Sequence, residues 1–161
     1  MLILLGACAR ILPHPWNFTP IMAIGLYAGA RSARLWSAVL ITLAALLLSD
    51  SILGFYSGMV YVYAASLIPA LVGSGLRGRS SAGTIVASAS VSSISFFLIT
   101  NIAVWTTGNL YPHTWAGLTE CFTAALLFYR NEIVGDALYT CAFFGADALL
   151  LRAVTPKRLP A

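Results

Sequence analysis

Charged side chains are scarce in this chain. Only 9% of its 161 residues are Asp, Glu, Lys or Arg, whereas hydrophobic residues make up 60%. A soluble domain usually carries about 25% charged residues, so a folded chain of this composition could not cover its surface in water. The nine basic residues are too few and too scattered for a nucleic-acid-binding surface. The composition therefore predicts an integral membrane protein that lies in a lipid bilayer.

Clusters of metal-binding or catalytic residues are missing from the sequence as well. The three cysteines, Cys8, Cys121 and Cys141, are far apart, and no CxxC motif occurs. We therefore expect neither a zinc site nor a disulfide framework. HExxH and GxSxG motifs and glycine-rich phosphate loops are also missing. We expect no catalytic residues, no metal and no cofactor, and any energised transport would need a partner that binds nucleotides.

Six apolar stretches follow one another along the chain, at about 1–12, 20–30, 35–49, 59–76, 82–105 and 133–151. A membrane-spanning helix needs roughly 20 apolar residues. The last three stretches reach that length, the third is borderline, and the first two are too short. The first two are therefore either two short helices joined at membrane depth or one broken span.

The basic residues favour one orientation. Seven of the nine basic residues can lie together on the cytoplasmic side, and only Arg10 and Arg130 then lie outside. The seven are Arg31, Arg34, Arg77, Arg79, Arg152, Lys157 and Arg158. The positive-inside rule then predicts six crossings with both termini cytoplasmic. Residues 114–129 belong to none of the six stretches and lie between two outer loops. We predict that they form a short interfacial helix with Thr114 as its N-cap. The expected fold is an all-α membrane protein, a single transmembrane domain over residues 1–161, with six transmembrane helices and one short outer helix.

Polar and aromatic residues concentrate at the outer end of this predicted bundle. Charge deep in hydrocarbon is costly, so such groups face partners or water. We interpret the cluster as a ligand cavity open to the outside; the alternatives are an interfacial aromatic belt and structural salt bridges. The candidate ligand-binding residues are Arg10, His14, Asn17, Asp50, Asn101, Trp105, Tyr111, His113, Arg130 and Asp136.

The segment 13–20 contains three prolines, which stiffen it. We expect it to lie over the cavity, with Thr19 as N-cap and Pro20 as the first residue of the second helix; the alternative is a simple hairpin loop. On that helix, Gly25 and Gly29 form a GxxxG motif that either packs internally or docks on another subunit. Near the inner end, Asp147 is expected to pair with a basic residue, namely Arg77, Arg79 or Arg152.

Several motifs carry a resemblance that covers nearly the whole chain. They are RILPHPWNFTPIMAIGLYAGAR at 10–31, LSDSILGF at 48–55, Thr100-Asn101 with Trp105, YPHT at 111–114, and Arg130-Asn131 with Gly135-Asp136. The chain resembles an uncharacterised family of small bacterial integral membrane proteins. That family is in turn similar to the substrate-binding S-components of energy-coupling-factor vitamin transporters.

This resemblance implies six helices, a vitamin site near the outer surface capped by loops, and a location in the bacterial inner membrane. It also implies a transmembrane coupling subunit with ATPases as partner. Among the S-components, the chain most resembles those that bind vitamin B12, because of the relation of His14 to Asp50. Cobalamin is therefore one candidate ligand. Some of those proteins offer a fourth-helix cysteine to the cobalt, whereas this chain has Tyr61, Tyr63 and Ala64 in that region.

The leading hypothesis is therefore a membrane-embedded binding subunit for uptake of a vitamin-like small molecule. One alternative is a small membrane enzyme that uses His14 or His113 with Asp50 or Glu120. Another is a structural membrane protein whose small-residue helix faces bind a partner.

Overall fold

The computed structural model describes residues 1–154, and that part of the chain is helical without any strand. The helices are α1 (Leu2–Ile11), α2 (Ile21–Arg31), α3 (Leu35–Leu53), α4 (Met59–Ser66), α5 (Ile68–Ser74), α6 (Ala82–Thr107) and α7 (Trp115–Val154). Only Leu67 separates α4 from α5. The predicted all-α class is confirmed for the described residues.

Three helices are long and apolar enough to cross a membrane: α3, α6 and the Trp115–Ala153 part of α7. Helices α1 and α2 and the segment Met59–Ser74 are shorter apolar helices. At about 1.5 Å per residue, the ten residues of α1 rise roughly 15 Å, half of a hydrocarbon core of ~30 Å. The first two stretches are short as predicted, whereas the fourth was wrongly expected to be long enough to span.

Helix α7 runs without a break for 40 residues. The separate interfacial helix predicted over 114–129 is therefore wrong, and residues 130–132 form no loop. Their charges looked like a helix boundary, but no proline interrupts them, and the protein buries Glu132 instead of exposing it. The predicted cap is present, since the Thr114 hydroxyl accepts a hydrogen bond from the Gly117 N–H at 3.2 Å.

Helix α2 lies at the centre of the bundle. All of its residues except Tyr27 and Arg31 are buried, and it contacts α3, α5, α6 and α7. Pro20 takes the N-cap position and no side chain caps the helix, so the prediction of Thr19 as N-cap is wrong. The Pro20 carbonyl accepts the first helical bond, from the Ile24 N–H at 2.8 Å, which leaves Thr19 outside the helix.

Glycines allow α2 and α5 to cross closely. A Cβ atom on Gly29 would collide with the backbone of Ala70, and one on Gly73 would collide with the backbone of Leu26. The GxxxG motif therefore packs inside this chain, the first of the two alternatives.

At the end of the bundle where α2 finishes, Asp147 of α7 pairs with Arg31. The Arg31 Nη2 atom lies 2.6 Å from Asp147 Oδ2, and the Tyr27 hydroxyl donates to Oδ1 at 3.1 Å. The prediction of Arg77, Arg79 or Arg152 as the partner is wrong, because packing of α2 on α7 brings Arg31 closer. Arg77 instead donates to the Gly29 carbonyl at 3.1 Å, at the same end of the bundle.

Candidate functional site

A cavity of about 380 Å³ lies at the opposite end, where α1 and α3 finish. Residues of α1, α2, α3, α4, α6 and α7 and of the 12–20 connection form its walls. The apolar part of the wall includes Ile21, Met22, Leu46, Val62 and Phe96. The polar part includes Arg10, His14, Asn17, Thr19, Glu132 and Asp136.

An ion pair ties α1 to α3 beside this cavity. Arg10 Nη2 donates to Asp50 Oδ1 at 2.6 Å, and the Tyr63 hydroxyl donates to Oδ2 at 2.9 Å. Asp50 is only 1% exposed, so its charge is buried but both of its oxygens have partners. The other terminal nitrogen of Arg10, Nη1, is buried and has no hydrogen-bond partner among residues 1–154. Arg10 therefore has one donor group left for a ligand.

Tyr56 lies next to this pair, in the connection between α3 and α4. Burial raises the pKa of its hydroxyl, and the charge of Asp50 raises this pKa further, while Arg10 acts in the opposite direction. The phenol therefore stays protonated at neutral pH and can donate a hydrogen bond.

Two more acids lie on a different wall of the cavity. Glu132 and Asp136 are one turn apart on α7 and therefore share one face of the helix. They are 3% and 4% exposed. The Ser93 hydroxyl of α6 donates to Asp136 Oδ2. Glu132 Oε1 is buried without any hydrogen-bond partner in the described chain.

The proline-rich segment 13–20 forms another wall, as the sequence predicts. Its residues His14, Trp16, Asn17 and Thr19 line the cavity. The His14 ring nitrogens lie against backbone carbonyls, Nδ1 at 2.8 Å from the Pro15 oxygen and Nε2 at 3.2 Å from the Arg10 oxygen. Within residues 1–154, His14 therefore makes no hydrogen bond to a carboxylate.

The structure brings half of the predicted ligand-binding residues together. Arg10, His14, Asn17 and Asp136 line the cavity, and Asp50 is bonded to Arg10. These residues come from four separate segments of the chain.

The other predicted residues lie outside the cavity wall, most of them near the turn between α6 and α7. Asn101 donates to the Phe97 carbonyl of its own helix at 2.7 Å. Trp105 Nε1 donates to the Pro112 carbonyl at 3.0 Å, and its ring contacts that of His113 edge-on. The rest of this group are Tyr111 and Arg130, and Arg130 is exposed.

Sequence reasoning left Glu132 and Tyr63 out of the candidate set. The spacing of Glu132 and Asp136 was a usable signal, since residues four apart share a helix face. Tyr63 had no such signal, because its role depends on where α4 packs. Among residues 1–154, no group of three or more His, Cys, Asp or Glu side chains could hold a metal ion.

Comparison with known proteins places the chain in a family. The sequence pattern of a "Family of unknown function (DUF6580)" matches residues 1–158. The chain belongs to this family. No curated protein and no solved structure matches it. The chemistry of the cavity therefore carries the functional argument.

Proposed function

We propose that the protein is a membrane-embedded substrate-binding subunit for uptake of a vitamin-like small molecule, with the cavity as its ligand site. The observation that carries this proposal is the cavity itself, which combines apolar walls with a few buried polar groups, among them Glu132, whose Oε1 atom has no hydrogen-bond partner in the described chain. Small-molecule sites typically have this composition and volumes of about 300–1,000 Å³.

The volume argues for a ligand smaller than cobalamin. A cavity of about 380 Å³ lies at the lower end of the range for drug-sized ligands, and cobalamin is considerably larger than such molecules. Tyr63 lies in the region where a cobalt-binding cysteine would be expected. Its hydroxyl donates a hydrogen bond to Asp50. We therefore propose that the ligand is a compact molecule and not cobalamin.

We extend the proposal to six crossings with both termini cytoplasmic and the cavity on the outer side. The positions of Arg31 and Arg77 support it, because both lie at the end of the bundle away from Arg10. The 13–20 connection would then lie at membrane depth, which is tolerated because it lines a cavity. Lys157 and Arg158, which belong to the same cytoplasmic group, lie outside the described residues.

Cysteine labelling in intact cells measures this orientation. With the native cysteines replaced, we expect Ala33→Cys to be protected from a membrane-impermeant maleimide and Asn109→Cys to react. The reverse pattern would contradict the topology and place the cavity on the cytoplasmic side.

Uptake against a gradient requires an energy source, and the sequence contains no phosphate-binding loop. We therefore propose that a transmembrane coupling subunit with ATPases works with this protein in the bacterial plasma membrane. The hydrogen bonds of His14 do not favour the enzyme alternative, because both of its ring nitrogens lie against carbonyl oxygens, and His113 packs against Trp105 outside the cavity wall.

A filled-cavity variant tests the binding function. Val62 is part of the cavity wall, whereas Val60 on the same helix is 72% exposed. We expect a small molecule to co-purify with the wild type and Val60→Trp, and to be absent from Val62→Trp, as measured by mass spectrometry after denaturation. Equal ligand content in the two variants, or none in the wild type, would contradict the proposal. A chemically altered product would favour the enzyme.

A further inference from the structure

We infer that the ligand carries a cationic nitrogen, which binds the Glu132 and Asp136 carboxylates, and a hydrogen-bond acceptor, which binds Arg10. This inference rests on the proposed binding function and names the chemical class of the substrate.

The first observation is that one oxygen of the Glu132 carboxyl group, Oε1, has no partner in the described chain. Glu132 lines the cavity and is 3% exposed, and its Oε1 atom has no hydrogen-bond partner within residues 1–154. Burying a carboxylate without a partner is costly, so buried acids are normally paired or hydrogen-bonded. Asp136, one turn further along, accepts a hydrogen bond from the hydroxyl of Ser93, which is a neutral donor. A second donor or a cation is therefore expected between these two acids.

The described chain does not supply that cation. Its two ion pairs are Arg10 with Asp50 and Arg31 with Asp147. Arg130 is exposed and lies two residues before Glu132, and side chains two apart on a helix do not face each other. Neither buried acid is therefore paired with a basic side chain of the described residues, and a positively charged ligand would stabilise their ionised forms.

The Arg10 side of the cavity offers a hydrogen-bond donor, whereas the side of Glu132 and Asp136 offers acceptors. The Nη1 atom of Arg10 is buried and unpartnered, and it can donate to a carbonyl, hydroxyl or carboxylate oxygen. Among the described helices, α1 contacts only α2 and α3, so Arg10 of α1 lies on a different wall from Glu132 of α7. A ligand that binds both residues must therefore carry its acceptor and its cationic nitrogen as two separate groups. Ile21, Met22 and Phe96 supply apolar surface for the part between.

Matched probe pairs test the cationic nitrogen. Pyridoxamine and pyridoxine differ by an aminomethyl against a hydroxymethyl group, and benzylamine and benzyl alcohol differ in the same way. We expect each amine to raise the unfolding temperature of the full chain in detergent at pH 7, and to bind at least tenfold more tightly than its alcohol. Glu132→Gln should abolish this preference.

The control variant is Glu120→Gln. Glu120 is exposed on the same helix, so this change removes the same charge without touching the cavity. It should keep the preference for the amine. Equal binding of amine and alcohol, or binding of neither, would overturn the inference. A temperature rise with magnesium or sodium chloride that matches the amine would assign a metal cation instead and overturn it as well.

The co-purified molecule separates this inference from the function on which it rests. A neutral or purely anionic ligand that is present in the wild type and absent from Val62→Trp would overturn the cationic assignment and support the binding function. Lack of any difference between Val62→Trp and Val60→Trp would overturn the binding function itself.

Discussion

Two buried acidic sites border the same cavity and differ in how their charge is balanced. Asp50 has hydrogen-bond donors on both oxygens, from Arg10 and Tyr63. Glu132 is buried to a similar extent, yet its Oε1 atom has no partner in the described chain. Burial of an acid therefore does not by itself identify a binding residue. The Asp50 site holds two helices together, whereas the Glu132 site has capacity left for a ligand.

The largest effect should come from breaking the Asp50 site. Arg10→Met leaves the Asp50 charge buried without its counter-ion, and removing one partner of a buried pair costs about 3–5 kcal/mol. We expect the free energy of unfolding in detergent to fall by that order. The double variant Arg10→Met/Asp50→Leu should recover most of the loss, because no uncompensated charge remains. A double variant as unstable as the single one would show that shape, and not charge balance, matters at this site.

Glu132→Gln should change the free energy of unfolding of the ligand-free protein in the opposite direction. At a pH where Glu132 is ionised, removing a buried carboxylate that has no basic partner in the described chain should raise the free energy of unfolding by about 1–3 kcal/mol. The exposed Glu120→Gln should change it by less than about 0.5 kcal/mol. A loss of stability in Glu132→Gln would mean that the carboxylate is balanced within the protein, and the difference between the two sites would disappear.

The smallest effect is expected at a third acid, Asp147. Its pair with Arg31 is partly exposed, at 18% and 35% of the two side chains. Such pairs contribute roughly 0–1 kcal/mol, so Asp147→Asn should lower the melting temperature only slightly. A loss as large as that of Arg10→Met would show that position in the bundle, and not burial, determines the contribution of these ion pairs.

Much of the local structure could be predicted from the sequence, and the errors have physical causes. The helical class, the short first two helices and the Thr114 cap follow from composition, length and capping chemistry. The predicted break at residues 130–132 was wrong, because α7 continues through them and places Glu132 in the cavity wall while Arg130 stays exposed. Residues Arg10, His14, Asn17, Asp50 and Asp136 were recognised as polar groups near predicted helix ends. The other half of the candidate set shared that pattern but lies outside the cavity wall.

The sequence by itself predicted a lipid environment and a helical secondary structure. Three helices of the described chain are long and apolar enough to cross a bilayer, where backbone groups must be satisfied within each segment. Only the tertiary structure decided which acid is balanced. Arg10 and Asp50 are 40 residues apart, and Ser93 and Asp136 are 43 apart. Such pairs depend on how helices pack, and no local pattern encodes them, so the spare oxygen of Glu132 becomes visible only in the folded bundle.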